Sequence, residues 1–165
     1  MGVGAGQVPM IKVKVCISAE KIPDMVSWLI MRFTRFEGSH VFLIYNDRIF
    51  HADGDGVSDI ALEPFMSEHH MTKTIDIELP ITHDEFMAWY DKHKGIVYGD
   101  AQYAGFIMSS MKKYVKNGRR AAICSEFVCW FMHDLVKAPG FDDGEFSSPK
   151  SVWALVEQYS KVKNG

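Results

Sequence analysis

No stretch of the chain approaches the ~18 apolar residues that span a bilayer, so no transmembrane segment is expected. The opening MGVGAGQVPM lacks a charged region followed by an apolar core, and a secretory signal is therefore not expected either. An N-myristoylation motif wants Ser or Thr at position 6, where Gly6 stands. Cysteine is scarce: Cys16, Cys124 and Cys129 are odd in number and form no CxxC pair. That argues against a disulfide framework and against a thiolate zinc site. Neither sign of charge dominates, with 18 Lys+Arg against 21 Asp+Glu and a net charge of −3. A general nucleic-acid binder would be basic overall or carry a long basic face. Internal repeats and low-complexity blocks are also lacking.

What is present is apolar and aromatic. Of 165 residues, 47% are hydrophobic and 13% aromatic, which excludes disorder over most of the length. A chain of this size buries roughly 70% of its unfolded surface, enough for a core without staples. The organisation expected is a Gly-rich leader over residues 1–9 and a single domain over 10–165.

Ile11, Val13, Val15 and Ile17 alternate with Lys12, Lys14 and Cys16, the pattern of a half-buried strand. Pro23 suits the first turn of a helix carrying Met25, Trp28, Leu29, Arg32, Phe33 and Phe36, closed by Glu37-Gly38-Ser39. His40–Tyr45 and Arg48–Ala52 flank the turn pair Asn46-Asp47 as a hairpin, apolar on both faces and hence central in its sheet. Asp53 to Asp59 reads as a Gly/Asp loop, followed by a mixed segment and a strand over Thr72–Leu79. Thr82-His-Asp-Glu85 is a capping-box pattern opening a helix with Phe86, Trp89 and Tyr90 on one side. Asp100 caps a further expected helix ending at Asn117-Gly118. Cys124–Leu135 is a strongly apolar helix, residues 138–149 a loop, and Pro149 starts a last helix with Val152, Trp153, Val156 and Tyr159 inward. The class expected is α+β, a small antiparallel sheet with several helices around it.

A nucleophilic cysteine needs a lowered pKa, a base within hydrogen-bond reach and a third group to orient that base. Cys124 falls in the first turn of its helix, where unsatisfied N–H groups and the positive dipole end favour a thiolate. Cys129 lies about 140° further around the same helix and reads as a core thiol, as does Cys16 in its strand. A cysteine at a helix start is most often simply a small buried hydrophobe, and a strand histidine a satisfied core or surface residue. With a two-residue hairpin loop, however, Tyr45 faces Arg48 and Phe42 faces His51. His40, Phe42 and His51 then share one face, with the two imidazoles as diagonal neighbours. His51 is placed to orient His40. Asp53 falls opposite His40 on that face as the alternative orienter.

Gly38-Ser39-His40-Val41 running into a hydrophobic hairpin, followed much later by Cys124-Ser125-Glu126-Phe127-Val128, resembles the circularly permuted branch of the NlpC/P60-like, papain-fold cysteine peptidases. In that branch the His strand precedes the Cys helix, as here. Tyr98 looks like the family's tyrosine upstream of the cysteine. The resemblance spans roughly residues 10–160. It implies a papain-like fold and an acyl-transfer mechanism without a cofactor: Cys124 as nucleophile, His40 as base, His51 as orienter, and Ser39, Tyr98, Ser125 and Glu126 near the substrate. Permuted members often carry Glu at the third position, where this chain has His51. Implied substrates are peptidoglycan-type stem-peptide amides or related acyl groups, in a cytoplasmic or phage-associated setting. Thiol acyltransferases and lipid hydrolases occur on the same scaffold, and a catalytically silent binding module is a third possibility.

Asp53-Gly-Asp55-Gly56 hints at a calcium loop, but Ser58 stands where such a loop requires glycine, so no metal is expected. His69, His70, His83 and His93 lack metal-ligand spacing and read as solvated. Lys112, Lys113, Lys116, Arg119 and Arg120 cluster ahead of Cys124. They read either as a solvated helix end or as a lure for an acidic substrate.

Overall fold

The computed structural model describes residues 9–23, 25–53, 55–96, 124–141 and 148–164. The expected leader, Tyr98, the helix after Asp100 and the basic cluster at 112–120 lie outside the described residues. The architecture is α+β, built on a five-stranded antiparallel sheet. In chain order the elements are β1 (Ile11–Glu20), α1 (Met25–Thr34), β2 (His40–Tyr45), β3 (Arg48–Asp53), β4 (Gly56–Ala61), α2 (Leu62–Glu68), β5 (His69–Leu79), α3 (His83–His93), α4 (Cys124–Asp134) and α5 (Pro149–Asn164). The strand order is β4-β3-β2-β1-β5, so β2 is the middle strand. Among the described residues no helix is long and apolar enough to cross a membrane.

Strand alternation divides the interior into two layers. Val13, Val15 and Ile17 of β1, Val41, Leu43 and Tyr45 of β2, and Phe50 and Ala52 of β3 face α3, α4 and α5. They pack there with Phe86, Trp89, Phe127, Phe131, Val152 and Val156. The opposite face is smaller: Cys16, Phe42, Ile44 and Ile49 gather around Phe65 of α2.

The hairpin has the two-residue loop on which the register depends. Tyr45 pairs with Arg48, and Asn46 and Asp47 adopt φ of 48° and 57°. Two successive left-handed residues make the type I′ turn that matches strand twist. The ladder between β2 and β3 covers only Leu43–Tyr45 and Arg48–Phe50, leaving His40, Val41 and Phe42 outside it. Gly38 brings the chain into β2 hard against β1. A Cβ there would overlap Ile17 Cγ2 and come within 2.9 Å of the Ser18 carbonyl oxygen. The N–H of Ser39 donates to that carbonyl at 3.1 Å.

The capping box of α3 is fully formed between Thr82 and Glu85, and Phe86, Trp89 and Tyr90 are buried as the spacing predicts. Helix α5 begins at Pro149 and buries Val152, Trp153 and Val156. Three expectations need correction. The segment read as loop and mixed chain forms β4 and α2. Trp28, assigned to the apolar stripe of α1, is 53% exposed. His69 and His93, read as solvated, are partly buried: His69 stacks on Phe65 with centroids 4.0 Å apart, and His93 Nδ1 lies 2.8 Å from the Trp89 carbonyl oxygen.

Candidate active site

Two clusters meet at the end of β2 that leads in from Gly38. On the α2 side, His40 Nε2 lies 3.1 Å from His51 Nδ1 across the hairpin. The diagonal relation set by the turn has become a direct hydrogen bond. The two rings meet edge to face, with centroids 5.3 Å apart. His40 also packs on Phe42 and Phe65, and His69 is the next imidazole, at 6.3 Å. The far nitrogen of His51, Nε2, lies 3.3 Å from Ser58 Oγ and 3.4 Å from Asp53 Oδ2. Ser58 is a partner that sequence reading missed, because it belongs to the unrecognised β4, where it pairs with His51.

Burial holds both imidazoles in the neutral form. For His40, desolvation lowers the pKa well below 6.5, and the neighbouring imidazoles of His51 and His69 push the same way. For His51, burial again lowers it, while the Asp53 carboxylate pulls in the opposite direction.

On the other face, Cys124 is the first residue of α4 and is buried against the helix-covered core. The backbone N–H groups of Val41, Ser125 and Cys124 itself lie beside the sulfur and favour its thiolate. The Val41 amide is the peptide that joins Val41 to His40, so thiol and base candidate adjoin the same peptide unit. Their side chains do not face each other. The sulfur sits with Val41 in the layer under the helices, whereas the His40 ring packs on Phe42 and Phe65 across the sheet. Burial pushes the Cys124 thiol up to about 11, outweighing those three amides, and Glu126 adds to the rise. The helix start therefore stabilises a thiolate less than burial disfavours it. A resting thiolate, expected from position alone, is not the form this environment favours.

The remaining candidates divide clearly. Ser39, Ser125 and Glu126 are buried, and the Ser125 N–H is one of the amides beside the sulfur. Cys16 and Cys129 are buried core thiols as expected, and burial pushes Cys16 up to about 12. Ser18, opposite His40 on β1, is fully buried, and its hydroxyl has no hydrogen-bond partner among the described residues. No protein family, curated protein or solved structure matches this chain.

Proposed function

We propose that the protein is a papain-like cysteine hydrolase of amide or related acyl bonds, with Cys124 as nucleophile, His40 as base and His51 as orienter. The observation that carries this reading is the sulfur set at a helix start beside main-chain N–H groups, one of them on the peptide shared with an imidazole already oriented by a second. Both reacting groups rest neutral, so activation is by proton transfer rather than by a standing ion pair. The reading requires the His40 ring, hydrogen-bonded to His51 on the other face of the sheet, to turn toward the sulfur when substrate binds; His40 lies outside the β2–β3 ladder and pairs with Ser18 of β1.

The Cys124 S–H proton passes to His40 as the sulfur attacks the substrate carbonyl. The C=O electron pair moves onto oxygen, where the start of α4 offers N–H donors. Collapse expels the amine, which takes the proton back from His40 as the C–N bond breaks. Water then attacks the thioester, giving its proton to His40, and the sulfur leaves and is reprotonated. Peptide amides of cell-wall type are the leading substrates; thiol acyl transfer to another acceptor uses the same first half.

The test is acylation by p-nitrophenyl acetate, read by intact mass and peptide mapping after acid quench. The expected result is one acetyl group on Cys124, lost in Cys124→Ser and slowed at least about tenfold in His40→Gln. Acetylation spread over Cys16 and Cys129, or none, overturns the reading. The buried, protonated thiol favours a second reading, a catalytically silent domain of the same fold. That reading predicts no acylation and unaltered biological activity in Cys124→Ala.

A further inference from the structure

Asp53 enters the sequence argument as a substitute for His51, yet the geometry puts the two in series. His40 Nε2 faces His51 Nδ1 at 3.1 Å, and His51 Nε2 faces Asp53 Oδ2 at 3.4 Å and Ser58 Oγ at 3.3 Å. The carboxylate is itself oriented, since Asp53 Oδ1 accepts the Asp55 N–H at 2.9 Å in a short turn between β3 and β4.

A neutral imidazole has one N–H and one lone pair, so each hydrogen bond in this chain constrains the next. Suppose His51 carried its proton on Nδ1. It would donate to His40 Nε2 and force the His40 proton onto Nδ1, consuming the position a base needs. Its own Nε2 lone pair would then confront a carboxylate, which is acceptor-only when ionised. Suppose instead that His51 is protonated on Nε2. It donates to Asp53 or Ser58, its Nδ1 accepts from His40 Nε2–H, and the His40 Nδ1 lone pair is left free. Ser58 can serve either arrangement, because its hydroxyl donates or accepts; only the second directs an N–H rather than a lone pair toward the Asp53 carboxylate.

We propose that Asp53 is a positioning residue that acts through His51, fixing both imidazoles as Nε2–H tautomers so that His40 Nδ1 is the basic nitrogen. The tautomer assignment stands on the His40–His51 hydrogen bond and the nearness of the Asp53 carboxylate to His51 Nε2; its catalytic consequence rests on the hydrolase reading above. Asp53 is 40% exposed, so solvent screens its charge and its role is direction rather than strength. Ser58 is a second acceptor that does not dictate direction, because a hydroxyl both donates and accepts.

Long-range proton–nitrogen NMR of histidine-labelled protein at pH 7.5 reads each tautomer directly, with or without catalysis. The wild type and Ser58→Ala are expected to show Nε2–H forms at both His40 and His51. Asp53→Ala is expected to mix the tautomers and to slow Cys124 acylation about tenfold. Asp53→Asn, whose amide oxygen still accepts, is expected to restore the wild-type pattern. An Nδ1–H form of His40 in the wild type overturns the proposal, and so does an Asp53→Ala protein with both tautomers unchanged. If Asp53→Ala does not fold, the wild-type and Asp53→Asn spectra decide by the same criterion. Tautomers as expected but no acylation in any variant would leave the relay standing and remove the hydrolase.

Discussion

At the scale of single residues, the histidine pair governs the behaviour of the protein in acid. Burial keeps His40 and His51 below the 6.5 they have in an unfolded chain. Below that value the unfolded state binds protons that the folded state resists, so stability falls as pH drops. Above it the pair contributes no pH dependence. His69 and Asp53 lie beside these rings, and the charges of Asp53 and of Asp59 on the other face soften the effect at His51 without reversing it. Urea midpoints should stay level from pH 7.5 to about 6.5 and fall from there to pH 5 in the wild type, and fall less in His40→Gln. Equal slopes would mean that His40 is not held neutral by burial. These residues were legible because hairpin parity depends only on loop length, and Asn46-Asp47 set it. The thiol's protonation state was not legible: position at a helix start can be read from a chain, but desolvation depends on what packs around it.

At the scale of elements, the turn and the entry to β2 carry the register. Asp47 sits at φ 57°, a region glycine occupies without penalty. Asp47→Gly should therefore raise thermal stability slightly, by about 0.5 kcal/mol, whereas Asp47→Val should lower it by about 1–2 kcal/mol. Gly38→Ala drives a methyl into Ile17 and toward the Ser18 carbonyl. A loss of about 1–3 kcal/mol in denaturant unfolding is expected, together with altered His40 NMR shifts. Strand β4 escaped sequence reading because its inward positions are not uniformly apolar. Val57 is buried, but two residues on, Asp59 faces Tyr90, Arg48 and Lys94. Helix α2 escaped because Ala61 caps it without a side-chain bond, so the chain carries no start signal. The polar knot that hid β4 also joins it to α3. Tyr90 donates to Asp59 Oδ1 at 2.7 Å, and Arg48 and Lys94 complete the set. Tyr90→Phe should lower stability by about 1–2 kcal/mol, seen as a melting temperature reduced by about 3–6 °C.

At the scale of the whole molecule, the sheet is a partition. Its large layer holds the thiol under α4; its small layer holds the imidazoles under α2; the start of β2 is where the two approach. The alternating runs, the capped helix α3, the Cys124 helix and Pro149 all reported their own structure, because each is decided by local periodicity or capping. Which layer each reactive side chain joins is decided by strand parity and helix docking together. Parity alone united His40 with His51 but could not say on which side α4 would lie. The most direct test of the account is the rate of iodoacetamide alkylation of Cys124 in the folded protein at pH 7.5, compared with Cys16 and Cys129 and with His40→Gln. Base-assisted chemistry predicts that Cys124 reacts well ahead of the other two and slows about tenfold without His40. Equal rates for the three thiols, or a Cys124 rate indifferent to His40, would contradict it.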